Sequence, residues 1–548
     1  MPHGPIDVIL NSSVSRSIIR LGRRATICSK STRLFLPLAV GVAILIGRSL
    51  LAERQTIDDL FIFLRYARNL AERGEYAFNP GQRVEGTSSV AWTLLLAGLW
   101  KVGYRGAGAA KLASLVVSAF VPVVTWVAIR RSLPGRSLAA GVAVIALALD
   151  ADFASWASSG MDTPLWTLAC IGCVALAAYG LDRTFLCALG ALVWIRPEGP
   201  LFAAAAVIAS SRGWRDAMRR SLWAAGPIAV LLLLRVAYFH DVVPNTFWAK
   251  MNAVDGKDYT GLGYLANTLL HRALFLFVAP AVASVLLRRQ PMVRIALSLL
   301  AASLLFPVLA GGDWMPNRRL TVVSLPLAAW LTANALGALR YSVVSAIASA
   351  GILLEPAITL DHAIDQTWRD NEWVDERITR WIPSGHPFAD PYPLDWMPTH
   401  FLHELAPYVR RGNVVAHVDV GELPYVMSDV SFIDGFGLVD RIAGRLAFFP
   451  HDRALLELAR KEFFDARPTA AIVVFDEATG CPFSASQRTV LDDPRFASGW
   501  REIGRVPTWG GHPCVTYVRR DLLPSDNDAA SSQRRSWLAN APGVVELP

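Results

Sequence analysis

The chain has 548 residues, 53% of them hydrophobic and only 18% charged, with 18 tryptophans and a mean hydropathy of +0.36. That balance excludes fibrous, disordered and disulfide-scaffold classes. It fits a polytopic membrane protein, because apolar stretches of spanning length recur along the chain. The net charge of +8 hides a split, with +16 in residues 1–360 and −8 in residues 361–548. The basic part is the apolar part, so its charge orients helices and implies no nucleic-acid partner.

Residues 1–33 carry Arg16, Arg20, Arg23, Arg24, Lys30 and Arg33 against one acid, Asp7. That asymmetry places them in the cytoplasm, and no small-residue cleavage pattern follows the first apolar run, so a cleaved signal peptide fits poorly. Counting every later apolar run as a span would leave Arg130, Arg131 and Arg136 outside. If Ser88–Tyr104 instead lies along the interface, with its Trp92, Trp100, Lys101 and Tyr104, the signs fall into place. The spans are then approximately 34–52, 110–129, 137–155, 164–181, 184–196, 199–211, 220–239, 263–287, 293–310, 320–338 and 341–358. The inward loops become Arg130–Arg136, Leu181–Arg183, Arg212–Arg220, Arg288–Arg294 and the turn at Arg340, nearly all rich in Arg.

This reading predicts about 11 transmembrane helices over residues 34–359, with residues 53–109 as the first outer loop and its juxtamembrane helices. Residues 360–525 then form an extracytoplasmic α/β domain. Asn413–Val420 and Ala470–Phe475 are β-like runs within it, Arg453–Phe464 has a helical pattern, and 526–548 reads as a disordered end. Cys170 and Cys173 sit inside an apolar segment and read as small core residues. Cys481 and Cys514 in the tail could form one disulfide on the outer side.

With this topology the polar clusters embedded in the apolar region all emerge on one face. They are Asp58-Asp59, Ser158–Thr163 with Asp162, Arg196-Pro197-Glu198, Pro244–Lys250, and Gly312–Arg319. Ionisable groups at membrane depth are costly and line a cavity or a substrate path. One cavity is therefore expected. It would hold carboxylates (Asp58, Asp59, Asp162, Glu198, Asp313), cations (Arg196, Lys250, Arg318, Arg319), Asn245, and the aromatics Trp248 and Trp314. Such a set suits transfer of a sugar from a lipid phosphate. A carboxylate takes the proton of an acceptor hydroxyl, while Arg and Lys neutralise the departing phosphate.

Each residue also has a plainer reading. Asp58-Asp59 could cap the helix that follows, and Asp162 the span that begins at Pro164. Arg196 and Glu198 could pair with each other at a helix break. Arg318 and Arg319 could be snorkelling anchors, and Lys250 a headgroup contact. Trp92, Trp100 and Trp223 read as interface-belt residues.

The segment Asp58–Leu70, followed by Phe78-Asn79-Pro80-Gly81 and Glu85-Gly86, resembles the opening outer loop of bacterial GT-C membrane glycosyltransferases. It is most similar to the terminal β-(1→2) arabinofuranosyltransferase family of the mycobacterial cell envelope. Gly160–Leu165, Arg196–Gly199, Pro244–Lys250 and Gly311–Arg319 continue the likeness in order, and Asp419–Tyr425 and Ile433–Asp440 resemble the family's C-terminal domain.

The resemblance implies a GT-C-like core, a polyprenyl-phosphate sugar donor, inverting transfer, and a cell-envelope glycan as acceptor. It places the chain in the bacterial inner membrane with its C-terminal domain in the periplasm. The first-loop acid is the base, Asp59 in preference to Asp58. Arg318, Arg319, Lys250 and Arg196 meet the phosphate, and Asp162, Glu198, Asn245, Trp248, Asp313 and Trp314 line the cavity. No cofactor is certain; a divalent cation held by Asp59 and Asp162 is the one the resemblance leaves open. Arabinofuranose is the first sugar to consider. The alternatives are another lipid-linked sugar, such as aminoarabinose or mannose, passed to lipid A, polysaccharide or protein, and a lipid-linked sugar transporter or flippase.

Overall fold

The computed structural model describes residues 35–51, 56–251, 261–287, 289–313, 315, 317–338, 347–354, 404–405, 407–417, 420–466, 469–475, 485–506 and 514–523. The basic N-terminus, Trp314, Cys481, the 526–548 end and most of the expected 341–358 span lie outside them.

The chain is mostly helical. Helix α1 (Phe35–Leu51) precedes α2 (Asp59–Arg73), α3 (Val90–Lys101), α4 (Gly106–Ser132), α5 (Ser137–Leu149), α6 (Ala151–Ala157) and α7 (Thr163–Ala178). Next come α8 (Asp182–Ala191), α9 (Gly199–Ser210), α10 (Trp214–Phe239), α11 (Asn245–Met251), α12 (Gly261–His271), α13 (Ala279–Leu287), α14 (Pro291–Leu309) and α15 (Ser324–Ala338). Pro164, Pro200 and Pro291 stand in the first turns of α7, α9 and α14, where a missing N–H costs nothing.

Among the described residues, α4, α10 and α14 are each long and apolar enough to cross a membrane. The α5–α6 pair makes a fourth only if counted as one span bent by 67°. Among the described residues the other expected spans are shorter or interrupted, and the count of eleven is not confirmed. Helix α10 turns Leu222, Leu233 and Leu234 outward, as a lipid-facing helix does, whereas α15 is buried on every side at the centre.

The expected 137–155 span is broken. Asp150 accepts the Phe153 N–H at 2.9 Å and caps α6, which ends α5 and restarts the helix in a new direction. The 184–211 pair is interrupted at Arg196-Pro197 by a 3₁₀ turn at Leu192–Trp194. The Ser88–Tyr104 segment forms α3, which packs on α2. Trp92 is fully buried and donates its indole N–H to the Gly160 carbonyl at 2.9 Å, and Trp100 is buried and bonded to Glu72. These two tryptophans thus serve packing between elements, not an interface belt; Trp223 remains half exposed.

The C-terminal unit is a mixed five-stranded sheet in the order β2-β1-β3-β5-β4. Its strands are β1 (Val414–His417), β2 (Ser431–Asp434), β3 (Thr469–Phe475), β4 (Trp500–Val506) and β5 (Cys514–Arg519). β1 is parallel to β2 and β3; β5 is antiparallel to β3 and β4. Short helices α16 (Glu422–Val426) and α17 (Arg441–Phe448) follow β1 and β2, and Arg453–Lys461 is helical as its pattern predicts.

This unit and the first loop share one apolar core. Ile62, Tyr66, Tyr76 and Phe78 pack with Val409, Leu423, Phe432 and Val439. The buried Arg65 guanidinium crosses the junction to the carbonyls of Phe78 (2.9 Å), Val430 (2.8 Å) and Pro424. Asn79 donates to the Phe432 carbonyl at 2.7 Å and accepts its N–H at 2.9 Å, as one strand does with another. The first loop and the C-terminal unit thus pack directly against each other.

Candidate active site

The embedded polar clusters meet where the helices end against this junction. The Ser158–Thr163 turn lies on the start of α2: Gly160, at φ +79°, has Leu60 so close that an added Cβ would lie 2.7 Å from its Cδ2. Asp162 follows, fully buried at the start of α7, and makes no cap bond with that helix. Its Oδ2 instead faces Arg196 Nη1 at 3.4 Å, and its Oδ1 is buried without a hydrogen-bond partner.

Arg196 also donates to Glu198 at 2.5 Å. Both are buried at the break between α8 and α9, where a side chain at Gly199 would collide with the Val193 backbone. The pairing of Arg196 with Glu198 is present, and it extends to the Asp162 cluster. Glu198 Oε2 has no hydrogen-bond partner.

The fifth cluster, Gly312–Arg319, is held by strain and ion pairing. Asn317 and Arg318 adopt left-handed φ values of 56° and 44°, uncommon for residues with a Cβ. Trp156 donates to the Asn317 carbonyl at 2.9 Å. Arg319, buried, binds Asp313 through two bonds of 2.8 and 3.2 Å. Arg318 binds Asp152 at 2.7 and 3.0 Å and Asn267 at 3.0 Å, which commits all three of its nitrogens. Neither arginine snorkels.

Lys250, on α11, joins the clusters. Its side chain keeps access to solvent, and its ammonium lies within electrostatic reach of Asp59, Arg319, Asp313 and Arg196. Desolvation lowers its pKa; Asp59 and Asp313 oppose the shift, and the two arginines add to it. One side chain thus senses residues from the first, third and fifth clusters at once.

Asp58 and Asp59 have different fates. Asp58 stands at the N-cap position of α2 but makes no side-chain cap there. Its Oδ1 accepts the Glu422 N–H from the C-terminal unit at 2.8 Å. Asp59, the first residue of α2, is the acid beside Lys250. Asn245 and Trp248 also face the C-terminal unit: Asn245 binds carbonyls of Gly437, Leu438 and Asp440, and the Arg445 guanidinium lies 3.9 Å from the Trp248 ring centroid.

Sequence reasoning passed over a second ionic cluster beside the first. Arg272 binds Asp150 at 2.5 and 2.9 Å and also Asp152, which it shares with Arg318. The available signal was Asp150-Ala151-Asp152 within an apolar run, since acids there seldom lack partners.

Among the described residues, no three His, Cys, Asp or Glu side chains converge to hold an ion. The positive charge beside Asp59 and Asp162 comes from Arg196 and Lys250. What the site offers is an acid at a helix start, next to cations able to receive an anionic leaving group.

No family model matches the chain. ArnT from Cupriavidus metallidurans, bound to undecaprenyl phosphate, superimposes with a TM-score of 0.51 at 13% identity, over 90% of this chain and 99% of ArnT. The chain is folded like ArnT. The apo form of that protein gives a TM-score of 0.50 at 13% identity, over 91% and 100% of the two chains. In sequence, a terminal β-(1→2)-arabinofuranosyltransferase of Mycobacterium tuberculosis is 34% identical over 253 residues, which covers 41% of this chain and 39% of the relative. The match thus spans well under half of that relative's length, and the likeness to ArnT concerns the fold alone.

Proposed function

We propose that the chain is an inverting membrane glycosyltransferase that moves a sugar from a polyprenyl-phosphate donor to a cell-envelope glycan on the outer side of the inner membrane. The observation that carries the reading is Lys250, whose ammonium stands within electrostatic reach of Asp59, Asp313, Arg196 and Arg319 at once. Asp59 removes the proton of the acceptor hydroxyl as its oxygen bonds to the anomeric carbon. The bond from that carbon to the phosphate oxygen breaks on the opposite face, inverting the centre and releasing polyprenyl phosphate. Lys250, Arg319 and Arg196 meet the phosphate, where negative charge grows in the transition state. Asp162, Glu198 and Asp313 orient those cations, and Arg318 holds the strained turn that presents Arg319.

The undecaprenyl phosphate bound to the ArnT structure is a lipid of the class these cations suit. The Mycobacterium tuberculosis relative makes arabinofuranose the first sugar to test. The decisive experiment incubates purified protein with acceptor glycan and a panel of polyprenyl-phosphate sugars, arabinofuranose among them, and measures free lipid phosphate. Release with one sugar, dependent on acceptor, is expected. No release with any of the panel would refute the reading.

A further inference from the structure

We infer that the C-terminal α/β unit belongs to the catalytic apparatus: it fixes the two segments that carry Asp59 and Lys250, with Asp58 and Asn245 as positioning residues. The inference rests on the roles given above to Asp59 and Lys250.

The first contact is next to the base. Asp58 Oδ1 accepts the Glu422 N–H at 2.8 Å, and an added Cβ at Gly421 would lie 1.7 Å from Asp58 Oδ2. The carboxylate thus lies flat on the Gly421 backbone, a place that only glycine leaves open. Asp58 has turned from its own helix towards the other unit, although N-capping is the usual task of an acid at that position. Asp58 and Asp59 are consecutive, so the peptide anchored by one side chain sets the direction from which the other leaves. Phe61 and Tyr425, with ring centroids 5.3 Å apart, continue the contact along α2.

The second contact is at the head of α11, the seven-residue helix that carries Lys250. Asn245 Nδ2 donates to the carbonyls of Gly437 (2.7 Å), Asp440 (2.9 Å) and Leu438 (3.1 Å). Its backbone N–H donates to the Glu85 carbonyl at 2.8 Å, and the Glu85 carboxylate is itself held by Arg235 at 2.8 and 2.9 Å. Arg445 lies on the Trp248 ring and binds Asp241 at 2.5 Å, which pins the same helix from α17.

Both contacts leave the same edge of the sheet. Gly421-Glu422 follow the C-terminal end of β1, and Gly437–Asp440 follow that of β2; the two strands are parallel neighbours, with His417 opposite Asp434. Adjacent strands are held about 4.8 Å apart by their hydrogen bonds. The spacing of the base and lysine segments is therefore referred to a rigid sheet edge, the end of an α/β sheet where working loops gather.

The test uses full-length protein in the transfer assay, with kcat, donor KM and thermal midpoint measured for Asp58→Ala, Asp58→Asn, Gly421→Ala and Asp59→Asn. Asp58→Ala and Gly421→Ala are each expected to lower kcat about 10- to 100-fold, the scale of an ångström-sized misplacement. Donor KM and thermal midpoint should stay near wild type. Combining the two should be no worse than either alone, since both break one contact. Asp58→Asn keeps an oxygen that accepts the Glu422 N–H and should recover most of kcat.

Wild-type kcat in Asp58→Ala and Gly421→Ala, with Asp59→Asn inactive, overturns the inference and spares the base assignment. Wild-type turnover in Asp59→Asn overturns both. Losses that track a lowered thermal midpoint, or an Asp58→Asn enzyme as impaired as Asp58→Ala, also overturn the positioning role.

Discussion

Arg319 and Asp313 form a two-point ion pair, Nε to Oδ2 at 2.8 Å and Nη2 to Oδ1 at 3.2 Å, with both side chains buried. A guanidinium bound edge-on to one carboxylate is fixed in direction as well as place. The pair thus fixes the direction of Arg319, which lies within electrostatic reach of Lys250.

Arg319→Lys should therefore act almost as severely as Arg319→Ala. A lysine supplies a point charge but not the fork that Asp313 grips. Donor KM should rise at least about tenfold, equivalent to ~1.4 kcal/mol. Titration with a lipid-phosphate donor checks this, and unchanged donor KM in Arg319→Lys would remove the residue from the phosphate site.

If Lys250 meets the donor phosphate as proposed, it gives transfer an alkaline limit. Desolvation lowers its pKa from the usual 10.5, so the ammonium loses its proton at a lower pH than a fully hydrated lysine does. The charge proposed to meet the phosphate is present below that lowered value and disappears as pH rises through it. Donor affinity should fall along that limb. Lys250→Arg, charged at every accessible pH, should weaken binding at neutral pH yet move the limb upward. A limb in the same place in both enzymes would count against Lys250 as its source.

The ion pairs around Asp162 bear on metal dependence. Asp162 Oδ2 faces Arg196 at 3.4 Å, and the same guanidinium serves Glu198. Protein cations already compensate these acids, so treatment with a chelator should leave transfer intact. Arg196→Ala should unfold or strongly destabilise the protein, by about 3–5 kcal/mol, because two buried carboxylates lose their partner. Loss of activity on chelation, restored by one divalent ion, would show that a metal enters the site on binding substrate.

Convergence of the clusters was legible because each sits between apolar runs, and a consistent assignment of sides put all of them on one face. Their pairing was not. Asp150 and Asp152 looked like the end of one span because the residues around them are apolar, and only the 67° bend shows a cap and a buried network. Asn245 and Trp248 were grouped with the cavity by sequence position, whereas their partners lie some two hundred residues on, in Gly437–Asp440 and Arg445. Long-range partners of a loop leave no periodic trace. The same holds for Asp58: two consecutive acids read alike until one is seen bonded to Glu422. Strands β1 and β3 were legible as β-like runs, but β2, β4, β5 and the strand order were not.

The turn that seats Asn245 is itself held by a buried acid, and this gives the protein a pH-dependent stability. Asp434 ends β2 and accepts the N–H groups of Phe436 at 2.8 Å and Val439 at 2.9 Å. Burial raises its pKa from 3.8 to about 7, against the pull of those backbone bonds. The folded state then holds a proton that the unfolded chain has released between those two values. Stability from this group is present below about 4 and is lost as pH rises through about 7. Asp434→Asn, always neutral, removes the titration. Wild type should therefore hold a larger advantage in thermal midpoint over Asp434→Asn at pH about 5.5 than at about 8. Equal gaps at both values would mean that the carboxyl is already ionised in the fold.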